Sequence, residues 1–506
     1  MKRPQVQVNL KELDQLLDHS MEAPLSETEA GKIKTALHTL AEVLAARRAN
    51  GYSSSEKTRE VVDGAAKAVE EKQPKPAAPG HGRTPAAAYE GAEKVAVTHP
   101  ELTHGTRCPD CQSGNVYHQA EPRPLVRIIG QAPLKATVYE LERLRCGACG
   151  QVFVAPEPEG VGPEKFDETA GAMIAQLKYG SGTPFARIET LEKCLGIPLA
   201  ASTQWEVVEE VAELAKPAHQ ELIRQAAAGE IVYNDDTGMR VLKLERPPGD
   251  ERTGVFTTGV VSVGQGQRVA LFFTGRQHAG ENLADVLRNR AEGLPPVVQM
   301  SDALACNGLK GLGEGVNILV ANCLAHGRRQ FVDVAGSFPE ECRFVLETLG
   351  TVYLNDAVAR REGMTKQGRL LFHQQRSAPL MEGLKNWFDA QLAERKVEPN
   401  SGLGKAIQYF QRHWKALTLF LREAGAPLDN NVCERALKRA VLHRKNALFY
   451  RTLHGAEVGD LFMSLIHTCE LNGVNSFQYL VALQRHAMEV LRSPGEWMPW
   501  NYLQRK

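Results

Sequence analysis

The sequence predicts a multidomain α/β protein whose central domain contains a mixed β-sheet with a large helical insertion. Between residues 229 and 322, short β-branched runs alternate with a segment of helical spacing. Beyond residue 326, almost every segment has the three- and four-residue apolar spacing of amphipathic helices. Two Cys-x-x-Cys pairs precede these regions and predict a small metal-binding domain of their own.

Length and charge limit the classes of protein to which the chain can belong. Its 506 residues are enough for several domains. Sixty basic and sixty acidic side chains cancel, so any nucleic-acid contact must depend on local basic patches. The sequence contains no apolar run long enough to span a bilayer and no apolar core of a signal peptide. We therefore expect a soluble cytoplasmic protein with no membrane partner.

The first hundred residues divide into an arm and a linker. Residues 1–50 have leucines at helical spacing, which is typical either of a short leucine-zipper-like dimerisation arm or of a helical hairpin packed on its own chain. Residues 51–100 are rich in Ser, Lys, Glu, Ala, Gly and Pro and contain few large apolar side chains. Such a segment cannot bury enough surface to offset chain entropy, so we interpret it as a flexible linker.

The cysteine pairs predict a zinc-ribbon-like domain over residues 101–160. Each Cys-x-x-Cys forms a tight turn that directs two sulfurs at one ion, and two such turns complete a tetrahedral Zn²⁺ site. Alternating residues between the pairs can form a strand hairpin. Disulfides are the alternative, but a reducing compartment disfavours them. The predicted zinc ligands are Cys108, Cys111, Cys146 and Cys149.

Residues 161–228 are predicted to be helical. A turn at 179–184 divides the segment, a pattern compatible with a DNA-binding helix-turn-helix-like element. A plain helical lead-in to the next domain is the alternative.

The catalytic domain is predicted over residues 229–450. Three consecutive antiparallel strands, a helix and two further strands describe a ribonuclease-H-like architecture, in which the first and fourth strands are neighbours. Asp235 ends the first of these runs and Asp302 the fourth, so they should meet at one edge of the sheet. Amphipathic helices at about 335–425 form the predicted insertion, and residues 451–506 form a C-terminal helical region.

Glu434 is the third acidic residue whose surroundings suggest a metal site. Carboxylate oxygens suit Mg²⁺ or Mn²⁺, and two such ions can stabilise both the attacking and the leaving oxygen of a displacement at phosphorus. Glu434 opens a helical segment whose cations would hold a phosphodiester in place. The predicted DNA-binding residues are Arg435, Lys438, Arg439, Arg444 and Lys445.

Several blocks together resemble a known family, the transposases of the insertion sequence 66 group, which belong to the DDE class. The blocks are CPDC and CGAC, NDDTG, the SD at 301–302, NCLAHGRRQF, LDNNVCERALKRAVLHRKN and the tail beginning HGAEVGDLF. The resemblance implies a metal-dependent enzyme that nicks the DNA ends of its own mobile element and joins the freed 3′ hydroxyls to target DNA. By position, Asp235, Asp302 and Glu434 match the DDE triad.

The resemblance also implies a homodimer or higher oligomer on DNA and accessory proteins from the same element. The family usually has Asp-Glu-Thr followed by proline, whereas this chain has Asp235, Asp236, Thr237 and Gly238, so Asp236 is the alternative first ligand. His326 lies in a family block but has no role that the sequence defines. The alternative functions are a catalytically impaired or domesticated DNA-binding relative and a ribonuclease-H-like nuclease.

Overall fold

A computed structural model describes residues 88, 92, 94–119, 125–128, 132–146, 149, 151–162, 164–244, 252–309, 311–312 and 316–505. The predicted arm, 1–50, and nearly all of the linker, 51–100, lie outside these residues. The chain divides into a small compact unit, Lys67–Pro133, and a large one that contains Leu134–Lys506.

The small unit contains a turn around the first cysteine pair. Cys108 N–H donates to the Gly114 carbonyl at 2.7 Å, and Gln112 N–H donates back to the Cys108 carbonyl at 3.0 Å. Gln112 has a φ of 54°, a left-handed conformation that closes the turn. An isolated bridge between Arg107 and Asn115 closes the ends of this loop.

In the described part of the large unit, the first element is a short antiparallel hairpin, β1 (Arg143–Arg145) and β2 (Val152–Val154). Three α-helices then lead into the sheet: α1 (Glu168–Ala175), α2 (Phe185–Cys194) and α3 (Ala201–Ala227). A π-helical turn at Gln176–Gly180 extends α1 and precedes the turn that the sequence predicted.

The centre of the large unit is a five-stranded mixed sheet. Its strands are β3 (Ile231–Gly238), β5 (Phe256–Gly264), β6 (Gln267–Gly275), β7 (Val297–Ser301) and β8 (Ile318–Asn322). Their order in the sheet is β6-β5-β3-β7-β8. β3 is antiparallel to β5 and parallel to β7. The first and fourth strands of this sheet are therefore adjacent, as the sequence predicted.

Helices cover both faces of the sheet. On one face, Ser262 Oγ of β5 donates to the Ala226 carbonyl of α3 at 2.7 Å, and Asn282 of α4 (Ala279–Leu287) donates to Thr258 Oγ1 at 2.8 Å. Gly259, between them in β5, faces the opposite way and contacts α10 (Asn431–Ala447). Alternating residues of β3 and β5 thus face either the α3 and α4 layer or α10.

The region of the predicted insertion is helical. After α5 (Leu324–Val334), four helices precede α10: α6 (Pro339–Arg361), α7 (Lys366–Arg376), α8 (Ala378–Ala393) and α9 (Gly402–Leu417). Phe331 of α5, Phe388 of α8 and Phe410 of α9 pack with ring centroids 5.4 to 5.7 Å apart. These rings pack α8 and α9 of the insertion against α5, and they belong to the same hydrophobic core as the sheet.

One predicted strand is shorter than the sequence indicated. The sequence predicts one strand over residues 230–245, but β3 ends at Gly238 and β4 (Val241–Lys243) leaves the sheet. β4 pairs in parallel with β9 (Tyr450–Thr452), in a region predicted to be almost entirely helical. Tyr450 and Val241 are buried against each other there, and this apolar contact compensates for the short pairing.

The C-terminal region is helical beyond β9, with α11 (Leu453–Leu471), α12 (Ser476–Arg485) and α13 (Ala487–Arg492). No helix among the described residues combines the length and the apolar character needed to cross a bilayer.

α11 covers the edge strand β6 with polar side chains. Exposed strand edges carry unpaired N–H groups that invite pairing with other chains. Thr468 Oγ1 and Ser464 Oγ accept from the Ala270 and Phe272 N–H groups at 3.0 and 2.9 Å, and the Asp460 carboxylate accepts from the next alternate residue, Thr274. Residues four apart on α11 therefore meet residues two apart on β6.

Replacing Ser464 by Ala should lower the free energy of unfolding by about 1 to 3 kcal/mol, because the buried Phe272 N–H loses its acceptor. Amide hydrogen exchange should become faster at Phe272 than at the strand-paired amides of β5. Ser476→Ala is the control, because the Ser476 hydroxyl donates to the Gln176 side chain and not to the sheet. Unchanged exchange at Phe272 would show that the hydroxyl does not protect the edge.

Candidate active site

Asp235 faces α10 from β3. It pairs with Gly259 across the β3-β5 ladder, so the two residues lie on the same face. A Cβ at Gly259 would lie 3.0 Å from Leu437 and 3.5 Å from the Cys433 sulfur. The glycine therefore allows α10 to approach the sheet closely beside Asp235.

Asp302 follows β7 and is held by the turn that comes after it. Its Oδ1 accepts from Leu304 N–H at 3.1 Å and from the Asn307 side chain, and Asp302 is only 9% exposed. The carbonyl of Asn307 accepts from Asn234 Nδ2 at 2.9 Å and from Gln299 Nε2 at 2.8 Å. This buried amide network fixes the carboxylate relative to the β3 and β7 backbones.

Glu434 lies in the first turn of α10, one-third exposed. Asn430, the N-cap residue, donates from its side chain to the Asn234 carbonyl at 3.1 Å and from its backbone to Cys323 Sγ at 3.3 Å. These bonds attach the start of α10 to the centre of the sheet. The helix therefore begins next to the strand that carries Asp235.

The other two acids contribute to the electrostatic surroundings of Asp235. Burial, as the largest cause, and the negative charges of Asp302, Asp236 and Glu434 together raise the pKa of Asp235 to about 7. Nearby like charges disfavour the ionised form of a carboxyl group. The oxygen-only donor set fits a hard divalent cation, which would neutralise the charges that repel one another here.

Asp236 faces away from this group. It pairs with Thr258, on the α4 side of the sheet, and its Oδ2 lies 2.9 Å from His278 Nδ1. Ala279 N–H, at the start of α4, approaches the same oxygen at 3.4 Å. Of the two adjacent acids, Asp235 is therefore the one directed toward α10 and Glu434.

His326 lies in the first turn of α5, beside Glu434. Its Nδ1 is 3.7 Å from Glu434 Oε1, and this nitrogen is buried without a hydrogen-bond partner among the described residues. Cys323 supplies a third potential ligand atom within 4.8 Å of these two. The sequence identified His326 by its block but gave no signal of its distance from Glu434.

The five predicted DNA-binding residues separate into two groups. Arg439 forms an ion pair with Glu470 and donates to the Gly180 carbonyl at 3.3 Å, while Arg444 bonds Thr237 Oγ1 at 3.0 Å and the Gly238 carbonyl. Both arginines thus have structural contacts within the chain. The other three predicted cations are exposed on α10 and have no ion-pair partner in the described part of the chain: Arg435, Lys438 and Lys445.

The two cysteine pairs lie in different compact units, Cys108 and Cys111 in the small one and Cys146 and Cys149 in the large one. None of the four is part of a disulfide in the described part of the chain. Hydrogen bonds from the Ser113 and Gly114 backbone lower the pKa of Cys111, which favours the thiolate that binds metal. The zinc ligands stay a prediction from their spacing.

Tyr409 of α9 is a neighbour of Asp302 that sequence reasoning did not find. Burial raises the pKa of its hydroxyl to about 12, and the charge of Asp302 contributes to the rise. A cleft of about 480 Å³ beside Asp302 is lined by strands β7 and β8 and by His413, one turn beyond Tyr409. The insertion therefore reaches the candidate site directly, a contact between residues distant in sequence that no local pattern signals.

Comparison with known proteins identifies the family. A family model for transposases, described as transposase IS66 family, matches residues 165–458, more than half of the chain. The matched region includes Asp235, Asp302 and Glu434. The chain belongs to the transposase IS66 family.

Two similar proteins come from Sinorhizobium fredii (strain NBRC 101917 / NGR234). Uncharacterized protein y4jD is 28% identical over 417 residues, which cover 78% of this chain and 78% of the relative. Uncharacterized protein y4hP is 24% identical over 434 residues, covering 81% of this chain and 75% of the relative. The similarity thus extends well beyond the part that the family model matches.

Proposed function

We propose that this protein is a DDE transposase that cleaves the DNA ends of an insertion sequence and transfers the freed strands to target DNA. The observation that carries the proposal is the coupling of Asp235 to both Asp302 and Glu434. We infer that these acids, far apart in sequence, act together. Asp235 lies in β3, Asp302 directly follows the neighbouring strand β7, and Glu434 lies in the first turn of the helix whose N-cap residue bonds Asn234 of β3. Membership of the family supports the same reaction.

The ribonuclease-H-like assignment is part of this proposal. Its support is the strand order, with three antiparallel strands followed by two parallel ones and the first beside the fourth. The position of the helical segment between β8 and α10 supports it as well, since the insertion separates the third acid from the other two.

Asp235, Asp302 and Glu434 would hold Mg²⁺ or Mn²⁺. When bound, two such ions would polarise the scissile phosphate and stabilise charge on the attacking and leaving oxygens. The amide network around Asn307 orients Asp302, and Asn430 positions the first turn of α10 that carries Glu434. Water in cleavage and a 3′ hydroxyl in joining are the attacking groups, so no covalent bond between protein and DNA is needed.

The partners belong to the proposal too. DNA ends and target DNA are the substrates, and a homodimer or higher oligomer would hold two ends together, with accessory proteins from the same element. Cys108, Cys111, Cys146 and Cys149 are proposed as ligands of a structural Zn²⁺, on the basis of their spacing.

Neutralising the exposed cations of α10 should weaken DNA binding in a salt-dependent manner. Each phosphate contact releases counterions and adds about 0.9 to the slope of log affinity against log salt. The double variant Arg435→Ala, Lys438→Ala should therefore lose up to about 2 from that slope. Lys385→Ala, which removes an exposed lysine of α8, is the control. Equal slopes of log affinity against log salt in wild type, the double variant and Lys385→Ala would show that these α10 cations do not contact DNA.

The direct test is nicking of a labelled DNA fragment that carries the element end. We expect Mg²⁺-dependent or Mn²⁺-dependent release of a 3′ hydroxyl, followed by joining of that strand to a second DNA. Cleavage of RNA–DNA hybrids or junctions without joining would indicate the nuclease instead. Binding to the end without cleavage would indicate an impaired or domesticated relative.

A further inference from the structure

A second cluster of potential ligands lies on the α4 side of the sheet. Asp236 Oδ2 and His278 Nδ1 are 2.9 Å apart, and the Cys306 sulfur completes a group whose ligand atoms all lie within 4.8 Å of one another. The three residues come from β3, from the N-cap of α4 and from a 3₁₀ turn at Ala305–Asn307. All three side chains are partly buried.

The surrounding packing fixes these three elements together. A Cβ at Gly280 would lie 2.8 Å from the Cys306 carbonyl and 2.1 Å from the Gly308 carbonyl, so only glycine allows the turn to pack on the first turn of α4. This close approach puts Cys306 beside His278. Phe256 packs on the imidazole at 4.2 Å between ring centroids and restricts its orientation.

The chemistry of the donors differs from that of the Asp235 group. A thiolate, an imidazole and a carboxylate are ligands that zinc accepts, whereas magnesium prefers oxygen alone. With zinc–ligand distances of 2.0 to 2.3 Å, ligand atoms at the corners of a tetrahedron lie about 3.2 to 3.6 Å apart. The Asp236–His278 spacing of 2.9 Å is slightly below that range, and the Cys306 sulfur lies within 4.8 Å of both ligand atoms, so small side-chain rotations would reach it.

We propose that Asp236, His278 and Cys306 bind a zinc-class transition-metal ion on the α4 side of the sheet, opposite the face that carries Asp235. The ion would connect β3, the start of α4 and the turn after β7. That same turn donates Leu304 N–H and the Asn307 side chain to Asp302, so the ion would stabilise the segment that positions Asp302. Ion binding here does not depend on the proposed transposase activity.

The experiment measures metal content and cobalt absorption of the full-length chain. Wild type, Cys306→Ser and His278→Gln are equilibrated with zinc, dialysed and analysed for bound zinc, and Co²⁺ is then used as a spectroscopic substitute. Cys194→Ser, which removes an exposed cysteine at the end of α2, is the matched control. Circular dichroism checks that each variant is folded.

We expect Cys306→Ser and His278→Gln each to lose one bound zinc ion per chain, while Cys194→Ser retains the wild-type content. Cys306→Ser should also lose part of the thiolate-to-cobalt charge-transfer absorption. Ions held by the Cys-x-x-Cys pairs are common to all four proteins and cancel in the comparison. Equal zinc content in wild type and folded Cys306→Ser would overturn the proposal and leave an Asp–His hydrogen bond at the start of α4. If Cys306→Ser and His278→Gln lose zinc but still cleave DNA, the zinc site is supported and is not needed for the proposed transposase activity.

Discussion

Replacing Glu434 by Gln is expected to reduce strand cleavage by roughly a hundredfold to a thousandfold while DNA-end binding is retained. The amide has nearly the same size as the carboxylate but lacks its charge, so affinity for the second cation falls. Divalent ions supply several kcal/mol of transition-state stabilisation, and each 1.4 kcal/mol corresponds to about tenfold in rate. Cleavage of a labelled element end and gel-shift affinity for the same fragment are the two measurements.

The control for this experiment is Glu382→Gln, which removes an exposed carboxylate of α8. It should cleave at the wild-type rate. Partial recovery of the Glu434→Gln protein by Mn²⁺ would indicate weakened metal binding rather than misfolding. If Glu434→Gln cleaves as fast as wild type, Glu434 is not a ligand of the ions that the proposed reaction needs.

Local patterns were sufficient to predict the elements that carry the acids. The β-branched runs ending near Asp235 and Asp302 and the helical spacing after Glu434 correspond to β3, β7 and α10. Alternation along a strand places the two adjacent aspartates on opposite faces, in agreement with their ladder partners in β5. These features depend on period and composition, which a single sequence records directly.

Contacts between distant segments could not be predicted in the same way. The pairing of β4 with β9 joins two three-residue strands from opposite ends of the catalytic region, and neither is long enough to show a period. The approach of Tyr409 to Asp302 and of His278 to Asp236 depends on tertiary packing. Among the cations of α10, only the folded helix distinguishes Arg439, paired with Glu470, from exposed Lys438.

In buffer without magnesium or manganese, Asp235→Asn should make the protein more stable at neutral pH. The folded-state pKa of Asp235 is about 7, against an ordinary value of 3.8, so the folded state holds this proton more tightly than the unfolded state does. The contribution of the Asp235 carboxyl group to folding stability is therefore fully present below about pH 4. It falls as the pH rises toward 7, and above that pH it has been lost. A pKa shift of this size corresponds to roughly 4 kcal/mol of folding stability, which wild type loses as the pH rises. Asn is uncharged at every pH, so Asp235→Asn does not lose this stability.

Urea denaturation followed by tryptophan fluorescence between pH 4 and 8 measures this difference. Wild type and Asp235→Asn should have similar midpoints near pH 4 and separate progressively toward pH 7. Asp460, buried beneath the β6 edge with a pKa also raised to about 7, changes stability in the same direction in both proteins and cancels. Asp333→Asn, an exposed change on α5, should follow wild type throughout.

Adding Mg²⁺ should reverse the order of stability. A cation that binds only the folded state stabilises it by mass action, and the wild-type carboxylates provide the stronger site. The midpoint of wild type at pH 8 should therefore rise with magnesium concentration, whereas that of Asp235→Asn should change little. Parallel pH profiles in the two proteins would mean that folding does not raise the pKa of Asp235, and would contradict a buried carboxyl group with other acids near it. A destabilised apo site that cations stabilise is the expected behaviour of acids selected for catalysis rather than for stability.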